Sequence, residues 1–130
     1  MWNKESVMAV AANYIVAMDG KNKVKSGFTV QYEAPANIAT NWAPVLTFMV
    51  DSVGSLDEFK FDVRVTPSGT NLFTTVYSGN YSGNHYHGVQ EVIPANLLQA
   101  SKSAWINFSW QGGDGDIEIS DIVVWIRVNV

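Results

Sequence analysis

The chain has 130 residues, 47% of them hydrophobic and 15% charged, with a net charge of −4. That length and balance predict one folded domain, residues 1–130, with a core of its own. The acidic balance argues against nucleic acid as a partner, because binding it needs a broad basic footprint, and here Lys21, Lys23 and Lys25 are the only basic cluster.

Zero cysteines exclude disulfides, thiolate zinc sites and a cysteine nucleophile. No run of about 18 apolar residues is present, so a membrane span is not expected. The apolar stretch from Val7 to Met18 is too short to span, and it lacks the basic start and cleavage site of a signal peptide. A secreted protein without its leader, or a module cut from a longer chain, has the same appearance.

In chain order, the first six residues read as an extra strand or a loose end, with Trp2 near the terminus. Val7 to Met18 is Ala-rich and ends at Asp19-Gly20; strand and helix are both open for it. Phe28 to Glu33 alternates, with Phe28, Val30 and Tyr32 on one face and Gln31 on the other. Trp42, in the loop Asn41-Trp42-Ala43-Pro44, is placed to close over a ligand or to plug the end of the domain. Val45 to Asp51 is the next strand. Glu58 to Thr66 is the cleanest amphipathic one, setting Phe59, Phe61, Val63 and Val65 against Lys60, Asp62, Arg64 and Thr66. Leu72 to Ser78 turns outward either Thr75 and Tyr77 or Thr74 and Val76; the first pair is chemically richer. Tyr86 to Ile93 is closed by Pro94.

The run from Ala104 to Val130 holds two strands around a Gly/Asp turn. In the first, Ile106, Phe108 and Trp110 fall on the core side, with Trp110 near the strand end where solvent is within reach, and Trp105, Asn107 and Ser109 on the other. In the second, Ile122, Val124, Ile126 and Val128 share a face, opposite Val123, Trp125 and Arg127.

These eight segments predict an all-β jelly-roll sandwich of two antiparallel sheets. The first, eighth, third and sixth segments form one sheet, and the second, seventh, fourth and fifth the other. The outer face of the second sheet then gathers Gln31, Trp105, Asn107, Lys60, Asp62 and Arg64, with Tyr77 from the fifth segment and Trp42 as a neighbouring loop residue. An indole stacks beneath the flat C–H side of a pyranose, while Arg, Asp, Asn and Gln read its hydroxyls through directional hydrogen bonds. Arg64 beside Asp62 offers a donor fork and an acceptor, and their attraction is expected to hold the site open.

Glycosidase chemistry needs two carboxylates about 5–9.5 Å apart, and Asp62 has only Glu33 as a distant candidate partner. Binding without catalysis is therefore expected. Gly112-Gly113-Asp114-Gly115-Asp116 lacks the ligand spacing of an EF-hand and reads as a strand connection.

The motifs Ile93-Pro94-Ala95-Asn96-Leu97-Leu98, Trp105-Ile106-Asn107-Phe108 and Gly115-Asp116-Ile117-Glu118-Ile119-Ser120-Asp121-Ile122 resemble the end of the β-sandwich carbohydrate-binding modules attached to polysaccharide-degrading enzymes. The similarity covers about the last third of the chain, and its motif is degenerate. Those modules often end in Ile-x-Ile-Asp-Asp-Ile; here Ser120 stands for the first acid and Asp121 matches the second. The resemblance implies a glycan across the concave face of one sheet, which is the Trp105 face. It also implies a plant cell-wall ligand such as β-glucan, xyloglucan or xylan, an extracellular setting within a larger secreted protein, and a linked catalytic domain. A structural calcium near the strand ends is implied for many such modules, with Asp121 as the one matching position.

Two other readings stand beside it. A viral or phage jelly roll would use Val123, Trp125 and Arg127 as a subunit interface. The spacing Gly79-x5-His85-x-His87-x3-Glu91 resembles the first half of the cupin metal motif, in which His85, His87 and Glu91 would hold iron or manganese. The motif's closing glycine is replaced by Leu98, and its second half is absent.

Overall fold

The computed structural model describes residues 9–52, 57–67 and 69–130. Trp2 and the possible strand or loose end at the start of the chain lie outside the described residues, as do Val7 and Met8 of the first segment. Among the described residues, strands β1 (Val10–Lys23), β8 (Glu118–Asn129), β3 (Val45–Asp51) and β6 (Tyr86–Val92) lie side by side in that order. The second sheet runs β2 (Phe28–Glu33), β7 (Ser103–Gly112), β4 (Phe59–Pro67) and β5 (Thr74–Tyr81). Every pairing is antiparallel. This is the expected jelly-roll order, with two sheets face to face.

Period-two alternation builds the core. β4 buries Phe59, Phe61, Val63 and Val65, β7 buries Ala104, Ile106 and Phe108, and β8 buries Ile122, Val124, Ile126 and Val128. Phe48 of β3 meets Phe108 edge-on at 5.3 Å and Tyr77 at 5.8 Å, so aromatic rings join the two sheets. Each such buried side chain contributes about 1.5–3 kcal/mol. The Ile93–Leu98 motif closes one end through a 3-10 turn over Ala95–Leu97, with Ile93, Leu97 and Leu98 buried.

Bulges explain where the segments differ from expectation. The Ala-rich first segment is a strand, not a helix, and it continues through Asp19-Gly20 to Lys23. Its register against β8 shifts between Val16 and Met18 and again between Met18 and Lys21, which absorbs the turn-like dipeptide. In β8, Thr47 pairs with Val123 but Met49 with Ser120, so one extra residue is inserted. Asp121 takes a left-handed φ of 54° there, and Ile119 and Ile122 both face inward. In β5, Val63 pairs with Tyr77 while Arg64 pairs with Thr75, so Val76 is the inserted residue.

Candidate functional site

The outer face of the β2-β7-β4-β5 sheet is a polar strip with a tryptophan at one end. Trp105 is 38% exposed, between Gln31 of β2 and Thr66 of β4. The next row sets Asn107 between Thr29 and Arg64, and the row beyond sets Ser109 and Ser78 on either side of Asp62. Lys60 ends the strip, opposite Asn80 and paired with Glu58 at 3.4 Å.

Cross-strand hydrogen bonds fix the polar groups. Arg64 Nη2 donates to Ser109 Oγ at 2.9 Å, and Gln111 Nε2 donates to the same hydroxyl at 3.1 Å. Ser78 Oγ donates to Asp62 Oδ1 at 2.8 Å, and Asn107 Nδ2 donates to Thr29 Oγ1 at 2.9 Å. Among the described residues no ion pair joins Arg64 to Asp62. Side chains directly across a ladder are closer than those two apart on one strand, so each charge takes a serine on a neighbouring strand instead. The result is still preorganisation. Most of the five guanidinium donors of Arg64 and the Asn107 carbonyl are not used by these bonds.

Tyr77 is not on this face. The Val76 bulge reverses parity, so Thr75 and Ser78 face out while Tyr77 turns in against Phe48, Phe61 and the Tyr81 hydroxyl. Trp42 is also elsewhere. The Ala39 N–H donates to the Arg127 carbonyl at 2.7 Å and Ile38 bridges Val128, so this loop follows β8. Trp42 therefore lies under the Arg127 guanidinium, 5.4 Å from its ring centre, beside the other sheet. Trp110, core-side by alternation but near the end of β7, does reach solvent and is 44% exposed. β2 begins at Phe28, opposite Phe108, so no strand covers Trp110 on that side. It borders an open cavity of about 480 Å³ shared with Lys25, Thr29, Asn107 and Ser109. Trp105 and Trp110 are five residues apart on β7, about 17 Å of strand, and have opposite parity.

No protein-family model matches the sequence, and no curated protein matches it. By structure, the chain is similar to part of dimeric latent PorU from Porphyromonas gingivalis, with a TM-score of 0.56 and 8% identity over 94% of this chain. It spans only 13% of that chain. It is also similar to CBM29_1, a family 29 carbohydrate-binding module from Piromyces equi, with a TM-score of 0.52 and 12% identity over 88% of this chain and 91% of that one. The chain shares the two-sheet antiparallel β-sandwich fold of these proteins.

Two other chemistries fit this geometry poorly. Glu33 pairs with Ser103 and Asp62 with Ser109, which separates the two carboxylates by six residues of β7, about 20 Å. A glycosidase pair needs roughly half that or less. His85 and His87 have ring centres 5.4 Å apart and pack on Tyr81, at the open edge between β5 and β6. Glu91 is four residues further along β6, about 13 Å away, so strand geometry prevents the cupin-like triad from converging. Among the described residues no three His, Cys, Asp or Glu side chains gather. Asp121 thus belongs to no such group among the described residues, whereas a calcium cage needs roughly 6–8 oxygens. Burial raises the hydroxyl pKa of Tyr32 and of Tyr81, the latter also through the Tyr77 hydroxyl.

Proposed function

We propose that the chain is a non-catalytic glycan-binding module. The sugar stacks on Trp105 and is read by Asn107, Arg64, Asp62 and Gln31, with Lys60 at the end of the strip. The observation that carries this reading is an exposed indole in line with donors and acceptors already held by cross-strand hydrogen bonds. An open, elongated strip suits an extended polymer such as β-glucan, xyloglucan or xylan. The similarity to a family 29 carbohydrate-binding module supports a saccharide ligand. An extracellular setting within a larger polysaccharide-degrading protein belongs to the same reading.

Affinity electrophoresis through gels holding soluble β-glucan, xyloglucan, xylan or mannan tests it. The protein should be retarded by at least one of these polymers. Trp105→Ala should weaken that retardation by roughly ten-fold or more, as expected for a central aromatic anchor. Its denaturation midpoint should stay close to the parent's, because the indole lies outside the core. Unchanged retardation in Trp105→Ala removes this residue's role.

A further inference from the structure

We propose a second saccharide-binding groove on the opposite side of the sandwich, across the outer face of β8, β3 and β6. It rests on the glycan-binding reading and extends it to two sites on one chain. The groove has a volume of about 380 Å³ and is lined by Thr47, Met49, Gly88, Gln90, Asp121 and Val123.

Gly88 is the first argument. Glycine inside a strand weakens it, and marks a bulge, a tight approach of backbone, or a place where a ligand comes close. Gly20 lies at the irregular register of β1, and Gly79 is held by packing, since a Cβ there would come within 2.7 Å of Tyr81 and 2.9 Å of Phe61. Gly88 has neither reason. β6 pairs with β3 in unbroken register from Val45↔Val92 to Asp51↔Tyr86. A Cβ at 88 would meet only Met49 Sδ at 3.5 Å and the Phe48 carbonyl at 4.0 Å, which are ordinary contacts. What the missing side chain provides is the depth of the groove.

The second argument is the ring beside it. Trp125 donates its indole N–H to Thr47 Oγ1 at 2.8 Å, and Thr47 lines the groove. The indole is thus anchored, its one polar group is satisfied, and it is 47% exposed. Tyr14 widens the aromatic surface at 5.6 Å. The third is the polar lining. Neither the Gln90 amide nor the Asp121 carboxylate has a hydrogen-bond or ion-pair partner among the described residues, and the lining holds no cation. A flat apolar ring at the margin of a groove lined by an amide and a carboxylate fits a neutral polyhydroxylated chain better than an acidic or purely apolar partner.

The test uses whichever soluble polymer (β-glucan, xyloglucan, xylan or mannan) retards the parent protein. Gly88→Val fills the groove with a residue that strands favour. Gly88→Val and Trp125→Ala should each weaken retardation roughly three- to ten-fold. Trp105→Ala should keep a residual retardation that Trp105→Ala/Gly88→Val loses. Should Gly88→Val unfold, Trp125→Ala carries the same expectation. If both groove variants migrate like the parent while Trp105→Ala abolishes retardation, the groove is overturned and the first site stands. Loss of retardation in the groove variants alone supports the groove and removes the Trp105 site. A parent retarded by none of the polymers overturns both. Light scattering that finds a dimer, lost in Gly88→Val, overturns the groove by assigning this face to a second copy of the chain.

Discussion

At the scale of single residues, three glycines make contrasting demands. Gly113 has φ +94°, and a Cβ there would lie 2.0 Å from the Glu58 carbonyl oxygen, where the β7–β8 turn crosses the start of β4. Gly113→Ala therefore combines a disfavoured backbone with a backbone clash, and should cost about 3 kcal/mol or more. Gly79→Ala leaves the backbone unstrained but presses on Tyr81, Phe61 and Tyr77, whose rings can shift; about 1–3 kcal/mol is expected. Gly88→Ala should be neutral or stabilising by up to ~1 kcal/mol, because its space is open and its conformation ordinary. Urea titrations of the three variants check the ranking. A Gly88→Ala variant as unstable as Gly79→Ala would mean that packing, not ligand access, accounts for the missing side chain.

At the scale of elements, β7 joins the core to the outer polar strip. Its inward Phe108 stacks on Phe28 at 4.8 Å and meets Phe48 of the opposite sheet edge-on at 5.3 Å. Phe108→Ala should cost about 3–5 kcal/mol, read from the denaturant midpoint. The alternation that buries Phe108 was legible in the sequence, and with it the outward parity of Trp105, Asn107, Arg64, Asp62, Lys60 and Gln31. Strand order also followed from counting segments and turns. Positions governed by long-range register were not legible. A bulge depends on how two distant strands pair, so no local pattern announced that Val76 would turn Tyr77 inward or that β1 would run through Asp19-Gly20. Trp42 followed a loop whose course is set by hydrogen bonds to β8. Trp110 kept its inward parity but passed the point where the core has strands to cover it. The motif segments that carried the family resemblance place Ile93, Leu97, Leu98, Ile106, Phe108, Ile117, Ile119 and Ile122 in the core, so they report the fold more than the ligand.

At the scale of the whole molecule, stability should depend on alkaline pH through two tyrosines on the edge strands of one sheet. Tyr32 of β2 and Tyr81 of β5 both turn toward the interior, and burial raises the pKa of each hydroxyl above its ordinary value of about 10. The folded state therefore holds these protons more tightly than the unfolded chain does. Their contribution is complete below about pH 10 and is lost as pH rises further, because the unfolded chain ionises first. Lysines lose charge in the same range, but the ion pairs Lys21–Glu118, Lys23–Asp116 and Lys60–Glu58 are exposed on their lysine side and contribute about 0–1 kcal/mol each. Tyr32→Phe separates the two effects, since it leaves every lysine in place. The Tyr32 hydroxyl is buried with no hydrogen-bond partner among the described residues, so its removal should also raise stability at neutral pH by about 1–3 kcal/mol. Denaturant midpoints measured from pH 8 to 11 should thus start higher in Tyr32→Phe and fall less steeply above pH 10. A variant that falls in parallel with the parent would place the alkaline loss on the lysines or on Tyr81 alone.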